Sequence, residues 1–399
     1  MNDLSRNFLI NKSKNIFEQN MTNTIQTSLR NVYPPFIPML NQVLETKKFG
    51  VASGAIELIE VTSSQCNEKG DRFEITIPYA QQLLNWSVIF DSTNPEMGPD
   101  FDFHDKTFLL DPQIELVEQF LPSLMEWDPS NQNCLLNVLL ELLMFYKHHQ
   151  INLLNERLQM EYSMLIEQTE ICDEDLEILL LPDPINPTEA HFVIRIAGDY
   201  SKLPKKIIGD SNNIAIMLHV VFQGVNWQRV TPQIFFSSNL IDILGNPNNL
   251  NIPPFPPTKT LMDYVPEIKR TIDNKINGVV ENYEKKKEYI NALLCIQGCS
   301  IIEYDADDFS MITLLMEVRD FHFLVYINLS LKFPTDSPKI ILQSIYHLNT
   351  RNGNLFKETL TNIPYSPRWS PIEMVSKALM FIIHKSLEFK KNSTHLRYF

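Results

Sequence analysis

The sequence predicts an α+β protein built from three tandem modules, each an antiparallel sheet with flanking helices. Three observations predict this class. A strand-like segment recurs 239 residues further along the chain, each copy leads through a proline loop to a helix, and a weaker third copy lies between them. A chain of 399 residues has room for about two to four ordinary domains, so three modules fit its length.

The clearest copies are residues 84–103 and residues 323–342. In both, apolar side chains occupy every second position over the first half, which predicts a strand with one buried face. The residues before them, 72–79 and 311–318, match more loosely and predict a preceding strand. Two prolines follow the alternating strand in each copy: Pro95 and Pro99 in the first, Pro334 and Pro338 in the second. Each copy is therefore expected to contain a pair of strands and a proline loop.

A helix start follows each copy. Residues 127–129 and 369–371 both place a tryptophan, a capping residue and a proline before an apolar pattern of helical period. Asp128 and Ser370 are predicted to cap the two helices, because their side-chain oxygens can accept hydrogen bonds from free backbone amides. Glu373 would complete a capping box with Ser370. Strand, loop and capped helix thus recur in one order, which unrelated segments would rarely share.

The middle copy is weaker. Residues 214–236 contain a strand pattern, a polar loop and Pro232, and residues 191–196 predict the strand before it. A proline-rich connector follows at residues 251–257, and a long amphipathic helix is predicted to begin near Pro266. These signals divide the chain into a mobile N-terminal extension (1–24), a first module (25–150), a middle module (151–262) and a C-terminal module (263–399).

The composition argues against several classes of function. Lys and Arg total 34 against 48 Asp and Glu, a formal charge of −14, so neither nucleic acid nor an anionic membrane is an expected partner. Only 11 glycines are present, which argues against a glycine-rich phosphate cradle. Five widely spaced cysteines favour a reducing compartment, and the N-terminus lacks an apolar signal segment. We therefore expect a cytoplasmic and nuclear protein.

The order of the elements resembles the ubiquitin-conjugating (E2) fold, which has a strand meander, a proline turn and Trp-Ser-Pro before a helix. Residues 333–340 resemble that family's Tyr-Pro-x-x-Pro-Pro signature, with serine in place of one proline. Residues 345–349 resemble its His-Pro-Asn stretch, with leucine in place of the proline, and residues 369–371 match its Trp-Ser-Pro. The resemblance implies that the modules fold as E2 domains do.

The residue that carries conjugating chemistry is missing. Conjugating enzymes have a nucleophilic cysteine shortly before that tryptophan, but the sequence has none between Cys66 and Cys134, nor after Cys299. A thioester cannot form without a thiolate. The first and last modules therefore resemble inactive E2 variants (UEV), and the middle module resembles the related RWD domains. No catalytic, cofactor-binding or metal-binding residue is expected.

The wider pattern resembles the BRE family, the UEV scaffold subunits of the BRISC deubiquitinase complex and of its nuclear sister complex, which is linked to the DNA damage response. Four stretches between about residue 30 and residue 390 carry this resemblance: 71–80, 261–266, 303–306 and 365–369. It implies a non-catalytic scaffold. The scaffold would link a zinc peptidase, selective for one lysine linkage of polyubiquitin, and its Abraxas-like partner to a von Willebrand A-type adaptor, MERIT-forty. Direct contact with ubiquitin stays open.

The candidate partner-binding residues are Tyr365, Arg368 and Trp369, just before the last helix. An E2 fold without its cysteine keeps the cleft beside the proline loop, and related variants use such clefts for short proline-containing peptides. Aromatic and arginine side chains beside a rigid proline are the types that dominate interface energies. The alternative is that the aromatic residues only pack the helix against the sheet, which we favour for Trp369, as we do for Trp86 and Trp127.

Other chemistry is predicted to be absent. His148 and His149 are adjacent, so on a helix they point in different directions and a shared metal is not expected. Cys295 and Cys299 could share a metal, but no second pair stands nearby, so we predict that they are buried in the core. Residues 285–287, three lysines, are predicted to lie on a solvated helix face.

Two rival functions remain open from the sequence. The chain could be a free-standing ubiquitin- or peptide-binding UEV adaptor, which would behave as a monomer without co-purifying subunits. It could also be a conjugating enzyme that uses an unorthodox cysteine, which would form a reducible ubiquitin adduct when supplied with activating enzyme.

Overall fold

The structure is a computed structural model, and it describes residues 29–46, 49–51, 54–64, 69–110, 114–182, 184–201, 203, 215–224, 226–349 and 353–395. It contains three antiparallel sheets, and in each of them neighbouring strands follow one another in the sequence. The predicted α+β class with three antiparallel sheets is confirmed. The expected N-terminal extension, residues 1–24, lies outside the described residues.

The first sheet has four strands, and four helices accompany it in the same part of the chain. The strands are β1 (Glu57–Thr62), β2 (Arg72–Tyr79), β3 (Gln82–Ile89) and β4 (Asp100–Asp102), and the helices are α1 (Ile37–Glu45), α2 (Ile114–Phe120), α3 (Pro122–Met125) and α4 (Cys134–Asn152). Alternate residues of β2 and β3 are buried in one cluster with α1 and α4. Trp86 lies at its centre, fully buried as predicted. One apolar strand face therefore forms this core.

The second sheet also has four strands. After α5 (Glu156–Gln168) come β5 (Leu176–Leu181), β6 (Glu189–Ile196), β7 (Ile216–Gln223) and β8 (Arg229–Phe236), followed by α6 (Ser238–Leu244). The proline-rich connector packs against aromatic residues that come before and after it in the sequence. The Phe255 ring lies 6.1 Å from that of Phe222 in β7 and 5.0 Å from that of Tyr264. The Tyr264 hydroxyl donates a hydrogen bond of 2.6 Å to the backbone oxygen of Pro253. The connector is thus packed onto folded structure.

The third sheet has five strands between two long helices. These elements are α7 (Leu261–Gln297), β9 (Ile301–Tyr304), β10 (Met311–Val318), β11 (Phe321–Asn328), β12 (Lys339–Leu348), β13 (Leu355–Thr359) and α8 (Pro371–His395). Helix α8 packs against β10 and β12. Its buried residues, among them Val375 and Ile382, join Phe323 and Val325 of β11 in one apolar cluster.

The described chain divides into two compact units. One contains the first and second sheets, in residues up to 197 and in residues 215–237 and 246–269. The other contains the third sheet, in residues 270–395, together with residues 198–201, 203 and 238–245. The division falls inside α7. The three-module division that the sequence suggests, with a boundary at residue 262, stays a prediction.

The internal repeat is confirmed position by position for one pair of strands in the first sheet and one in the third. Strands β10 and β11 lie 239 positions after β2 and β3 at both of their ends. The pairing register is also the same, because Arg72 faces Ile89 in the first sheet and Met311 faces Asn328 in the third. Both hairpins turn through two residues of positive φ: Ala80 and Gln81 at 48° and 60°, Arg319 and Asp320 at 52° and 59°. Such turns match the twist of paired strands.

Two details of the repeat were predicted wrongly. Asp128 does not cap α4, which begins at Cys134. Its carboxylate instead accepts hydrogen bonds from the amide and hydroxyl of Ser130, at 2.9 and 2.6 Å. Pro232 does not precede its strand as Pro99 and Pro338 do, but lies inside β8, opposite Val220. Proline is tolerated there because β8 is an edge strand, where an amide need not be donated.

Helix α8 starts where the sequence predicts and is capped by Ser370, whereas the long helix α7 starts earlier than expected. Helix α8 begins at Pro371, and the amide of Glu373 donates to the Ser370 hydroxyl oxygen at 3.3 Å. Helix α7 begins at Leu261, ahead of Pro266, which lies within its second turn.

Candidate functional site

The described cysteines differ in their exposure to solvent. Cys134 is buried at the start of α4, with its sulfur 3.1 Å from that of Met39. Burial raises the pKa of the Cys134 thiol, which disfavours the thiolate that a nucleophile needs. Cys172 is exposed. Cys66 lies outside the described residues.

The prediction that Cys295 and Cys299 are buried was wrong, since both are exposed. Tyr289 and Leu293, one helical turn apart, occupy the buried side of α7. Cys295 comes two residues after Leu293 and therefore points away from that side.

No metal centre is found in the part of the chain that the structure describes, where no group of three His, Cys, Asp or Glu side chains could hold an ion. The adjacent histidines point apart, as predicted: the His148 ring lies 5.7 Å from that of Phe120, and His149 Nε2 lies 2.9 Å from the Thr107 hydroxyl. Burial lowers the pKa of His149. The helices within the described ranges are all too short or too polar to span a lipid bilayer.

Tyr365 ties the segment before α8 to the proline turn between β11 and β12. Its hydroxyl donates a hydrogen bond to the backbone oxygen of Pro334. Its ring lies 6.3 Å from that of Phe333, which is fully buried. Burial and the nearby charge of Asp336 raise the pKa of Tyr365 to about 12, so the hydroxyl keeps its proton. Tyr365 therefore holds the turn in place.

Trp369 and Arg368 have different surroundings. Trp369 is half-buried against the core of the third sheet, and Lys377 Nζ lies 4.5 Å from the centre of its ring. Lys377 also approaches Glu373 at 3.6 Å across one turn of α8. Arg368 is exposed, and its backbone amide donates to the Ser366 hydroxyl at 3.3 Å. Of the three candidates, Arg368 is the side chain most accessible to a partner.

Glu177 is a buried carboxylate that the sequence reasoning missed. Glu177 of β5 is 2% exposed, and its two oxygens accept hydrogen bonds from the amides of Val51, at 2.6 Å, and Ala80, at 2.8 Å. Next to it, the Tyr79 hydroxyl donates to the backbone oxygen of Ile178 at 3.0 Å. Glu177 thus joins the β2–β3 turn of the first sheet to the second sheet. The signal in the sequence was a single charge in an apolar strand.

The lysine run at residues 285–287 is only partly solvated. Lys285 is exposed and pairs with Glu288 at 2.7 Å, whereas Lys286 is 5% exposed. Burial lowers the pKa of Lys286, and the charges of Asp308 and Asp305 act in the opposite direction. The prediction of one solvated face was wrong for Lys286, because three consecutive helical residues span more than half a turn and one of them faces inward.

Comparison with known proteins identifies the family. The family model described as "Brain and reproductive organ-expressed protein (BRE)" matches residues 30–348. A protein of Branchiostoma floridae named "BRISC and BRCA1-A complex member 2" is 36% identical over 381 residues, which cover 92% of this chain and 97% of that protein. A protein of Danio rerio with the same name is 33% identical over 367 residues, which cover 88% and 93%. The resemblance in the sequence motifs is confirmed: the chain belongs to the BRE family.

Proposed function

We propose that this chain is the non-catalytic scaffold subunit of a BRISC-like deubiquitinase complex. It links a zinc peptidase, selective for one lysine linkage of polyubiquitin, and an Abraxas-like partner to a MERIT-forty-like adaptor. The observation that carries the proposal is the similarity, over about nine tenths of the chain, to two proteins named as complex members. The scaffold works in the cytoplasm and in the nucleus. The nuclear sister complex serves the DNA damage response.

Three tandem E2-like modules are part of this proposal, with UEV modules at the two ends and an RWD-like module between them. The support is the shared register of β2–β3 and β10–β11, and the helix that follows each of these sheets. A cysteine-free segment precedes Trp369, and Cys134 is buried. The modules then serve as binding surfaces.

The absence of conjugating activity is tested directly. We expect no reducible ubiquitin adduct when the purified chain is incubated with activating enzyme, ATP and ubiquitin and analysed on gels with and without reductant. An active conjugating enzyme serves as the positive control. An adduct that disappears when the exposed Cys172, Cys295 and Cys299 are changed to serine would instead support the conjugating-enzyme alternative.

Membership of the complex is tested by co-expression with the peptidase, the Abraxas-like partner and the adaptor. We expect all four chains to elute together from a size-exclusion column and to cleave polyubiquitin. A chain that elutes alone as a monomer would support the free-standing adaptor alternative.

Within this proposal, the segment from Tyr365 to Trp369 binds the adaptor subunit. The exposed guanidinium of Arg368 supports this, since arginine side chains anchor many interfaces. Arg368→Glu should weaken adaptor binding at least tenfold, equivalent to about 1.4 kcal/mol, without lowering the melting temperature. The dissociation constant of the purified adaptor is measured on the immobilised chain, wild type and variant, and the melting temperature of each is measured in parallel.

Two further variants make this test specific. Lys287→Glu reverses an exposed charge on α7 and should leave adaptor binding unchanged. Tyr365→Ala, alone or with Arg368→Glu, should reduce stability because the bond to Pro334 is lost, so Tyr365→Phe is needed to separate the hydroxyl from the ring. Full binding by Arg368→Glu would place the adaptor site elsewhere on the chain.

A further inference from the structure

The segment before α8 contains two of the four Ser-Pro or Thr-Pro pairs of the chain, Ser366-Pro367 and Ser370-Pro371. A third pair, Ser337-Pro338, follows the proline turn, and the fourth, Thr231-Pro232, lies in β8. A serine or threonine followed by proline is the sequence that proline-directed protein kinases recognise. The sequence thus permits phosphorylation at four positions, and the structure distinguishes among them.

Two of the four pairs are poorly placed for a kinase, which binds its substrate as an extended segment with the proline in a pocket. Thr231 is held in the second sheet by its pairing with β7. Pro338 is buried. Residues 363–370, by contrast, belong to no helix or strand, and both Pro367 and Ser370 are exposed. The segment before α8 is therefore the accessible one.

The two serine hydroxyls of this segment take part in weak local hydrogen bonds. Ser366 Oγ accepts one from the amide of Arg368, and Ser370 Oγ accepts one from the amide of Glu373, both at 3.3 Å. Bonds of this length exceed the usual N–H···O distance of about 2.9–3.0 Å. Either oxygen can therefore accept a phosphoryl group at little cost to the local structure.

Positive charges lie next to both serines. Arg368 is exposed and is two residues away from each of them. Lys377 Nζ lies 4.5 Å from the centre of the Trp369 ring, beside Ser370 in the sequence. A phosphoserine carries a charge of about −1.5 to −2 and forms strong hydrogen bonds with guanidinium groups. A phosphate here engages the same Arg368 side chain that the proposed function assigns to the adaptor.

The first copy of the repeat already has a negative charge at one of these positions. The corresponding regions are residues 91–102 with 121–130 in the first copy, and residues 330–341 with 363–372 in the last. The first pair of segments contains six acidic side chains and neither Lys nor Arg, whereas the last contains three basic side chains and one acidic. Asp128, which is exposed, stands where the last copy has Ser370. Phosphorylation of Ser370 gives the last copy the charge that the first carries permanently.

We infer that Ser366 and Ser370 form a phosphorylation site for a proline-directed kinase, and that the phosphate blocks the adaptor-binding segment by engaging Arg368. The serine oxygen attacks the γ-phosphorus of ATP, the bond from that phosphorus to the bridging oxygen breaks, and ADP leaves with the bonding electrons. The hydroxyl proton passes to the carboxylate base of the kinase. The blocking effect rests on the proposed function, since it requires an adaptor at this segment.

The distribution of phosphate between two fractions tests the inference. The tagged full chain is purified from cells with phosphatase inhibitors and separated into fractions with and without the adaptor. Phosphate on Ser366 and Ser370 is measured by mass spectrometry in each fraction, with Thr231 as the internal reference expected to stay unmodified. We expect an occupancy at least about fivefold higher in the adaptor-free fraction. Equal occupancy in both fractions, zero included, would overturn the inference.

A matched pair of double variants isolates the charge. Asp and Asn both accept hydrogen bonds from nearby amides as serine does. The Ser366→Asp, Ser370→Asp variant and the Ser366→Asn, Ser370→Asn variant therefore differ mainly in charge. We expect the Asp variant to bind the purified adaptor at least about threefold more weakly than the Asn variant, with the same melting temperature. Equal dissociation constants would contradict the blocking effect.

The role of Arg368 is tested in the same assay. In an Arg368→Gln background, the difference between the Asp and Asn variants should fall to less than about half, because the guanidinium that the charge engages is gone. An undiminished difference would overturn the assignment of Arg368 as the group that the phosphate engages.

The two proposals fail differently. A wild-type chain that yields no adaptor-bound fraction contradicts the proposed function. An adaptor-bound fraction as phosphorylated as the free one contradicts only the inference. Incubation of the purified chain with a proline-directed kinase and ATP tests the site without any adaptor: phosphate should appear on Ser366 or Ser370, and its absence from both, while a Ser-Pro control peptide is fully phosphorylated, would overturn the site.

Discussion

Replacing Trp86 with alanine is expected to destabilise the first unit by about 3–5 kcal/mol, because a large buried ring is lost and the surrounding structure refills the cavity only in part. Trp86 is 1% exposed. Its ring meets the rings of Phe103 and Tyr146 edge-on, at 5.1 and 6.0 Å. The loss is comparable to the whole stability of a small domain, so the first sheet should unfold at moderate temperature.

The chain has two units, so a single unfolding midpoint would not isolate this effect. Hydrogen exchange of the amides of β2 and β3 reports on the first sheet, and the amides of β10 and β11 provide an internal reference. Leu83→Ala, at a 66% exposed position of the same strand as Trp86, is the matched control and should change stability by less than about 0.5 kcal/mol. Wild-type protection of β2 and β3 in Trp86→Ala would show that this tryptophan is not central to the core.

Replacing Glu177 with alanine is expected to cost about 3 kcal/mol, because the backbone amides of Val51 and Ala80 lose their acceptor inside the protein. The deletion also removes a bond between the β2–β3 turn and β5. Glu177→Gln keeps one amide oxygen and the shape of the side chain, so its cost should be smaller. Denaturant unfolding of the first unit, followed by the exchange of the amides of residues 51 and 80, measures both variants.

Glu174→Ala is the matched control for this prediction. Glu174 lies three residues before Glu177 but is exposed, so its removal should change stability by less than about 0.5 kcal/mol. Equal effects of Glu174→Ala and Glu177→Ala would mean that the loss reflects the total charge of the segment. The structure predicts instead that it reflects the two amide contacts.

The strands of the first and third sheets were predictable because their signal is local. An alternation of apolar and polar side chains specifies which residues face the core, whatever the rest of the chain does. The register, which the structure supplied, keeps these apolar side chains on the core face, since a shift of one residue would move every one of them to the solvent face. The hydrogen-bond partner of Asp128 was not predictable in the same way. Its carboxylate bonds Ser130, which is only two residues away, whereas the helix begins six residues away at Cys134.

The candidate site was predictable only as a segment. The motifs locate Tyr365 and Trp369 beside the proline turn, and the family to which they point is confirmed. That the Tyr365 hydroxyl is bonded within the turn, while Arg368 faces solvent, depends on how the turn folds back on the segment before α8. Partners and linkage selectivity stay predictions.

The sequence by itself determined the α+β class, the repeat, the missing cysteine and the family, because these depend on local periodicity and on which residues are present. Only the tertiary structure decided which polar side chains are buried. Glu177 and Lys286 are charged residues among others in the sequence, and that they are buried is apparent only in the folded chain. Burial depends on which elements meet, and no local pattern records that.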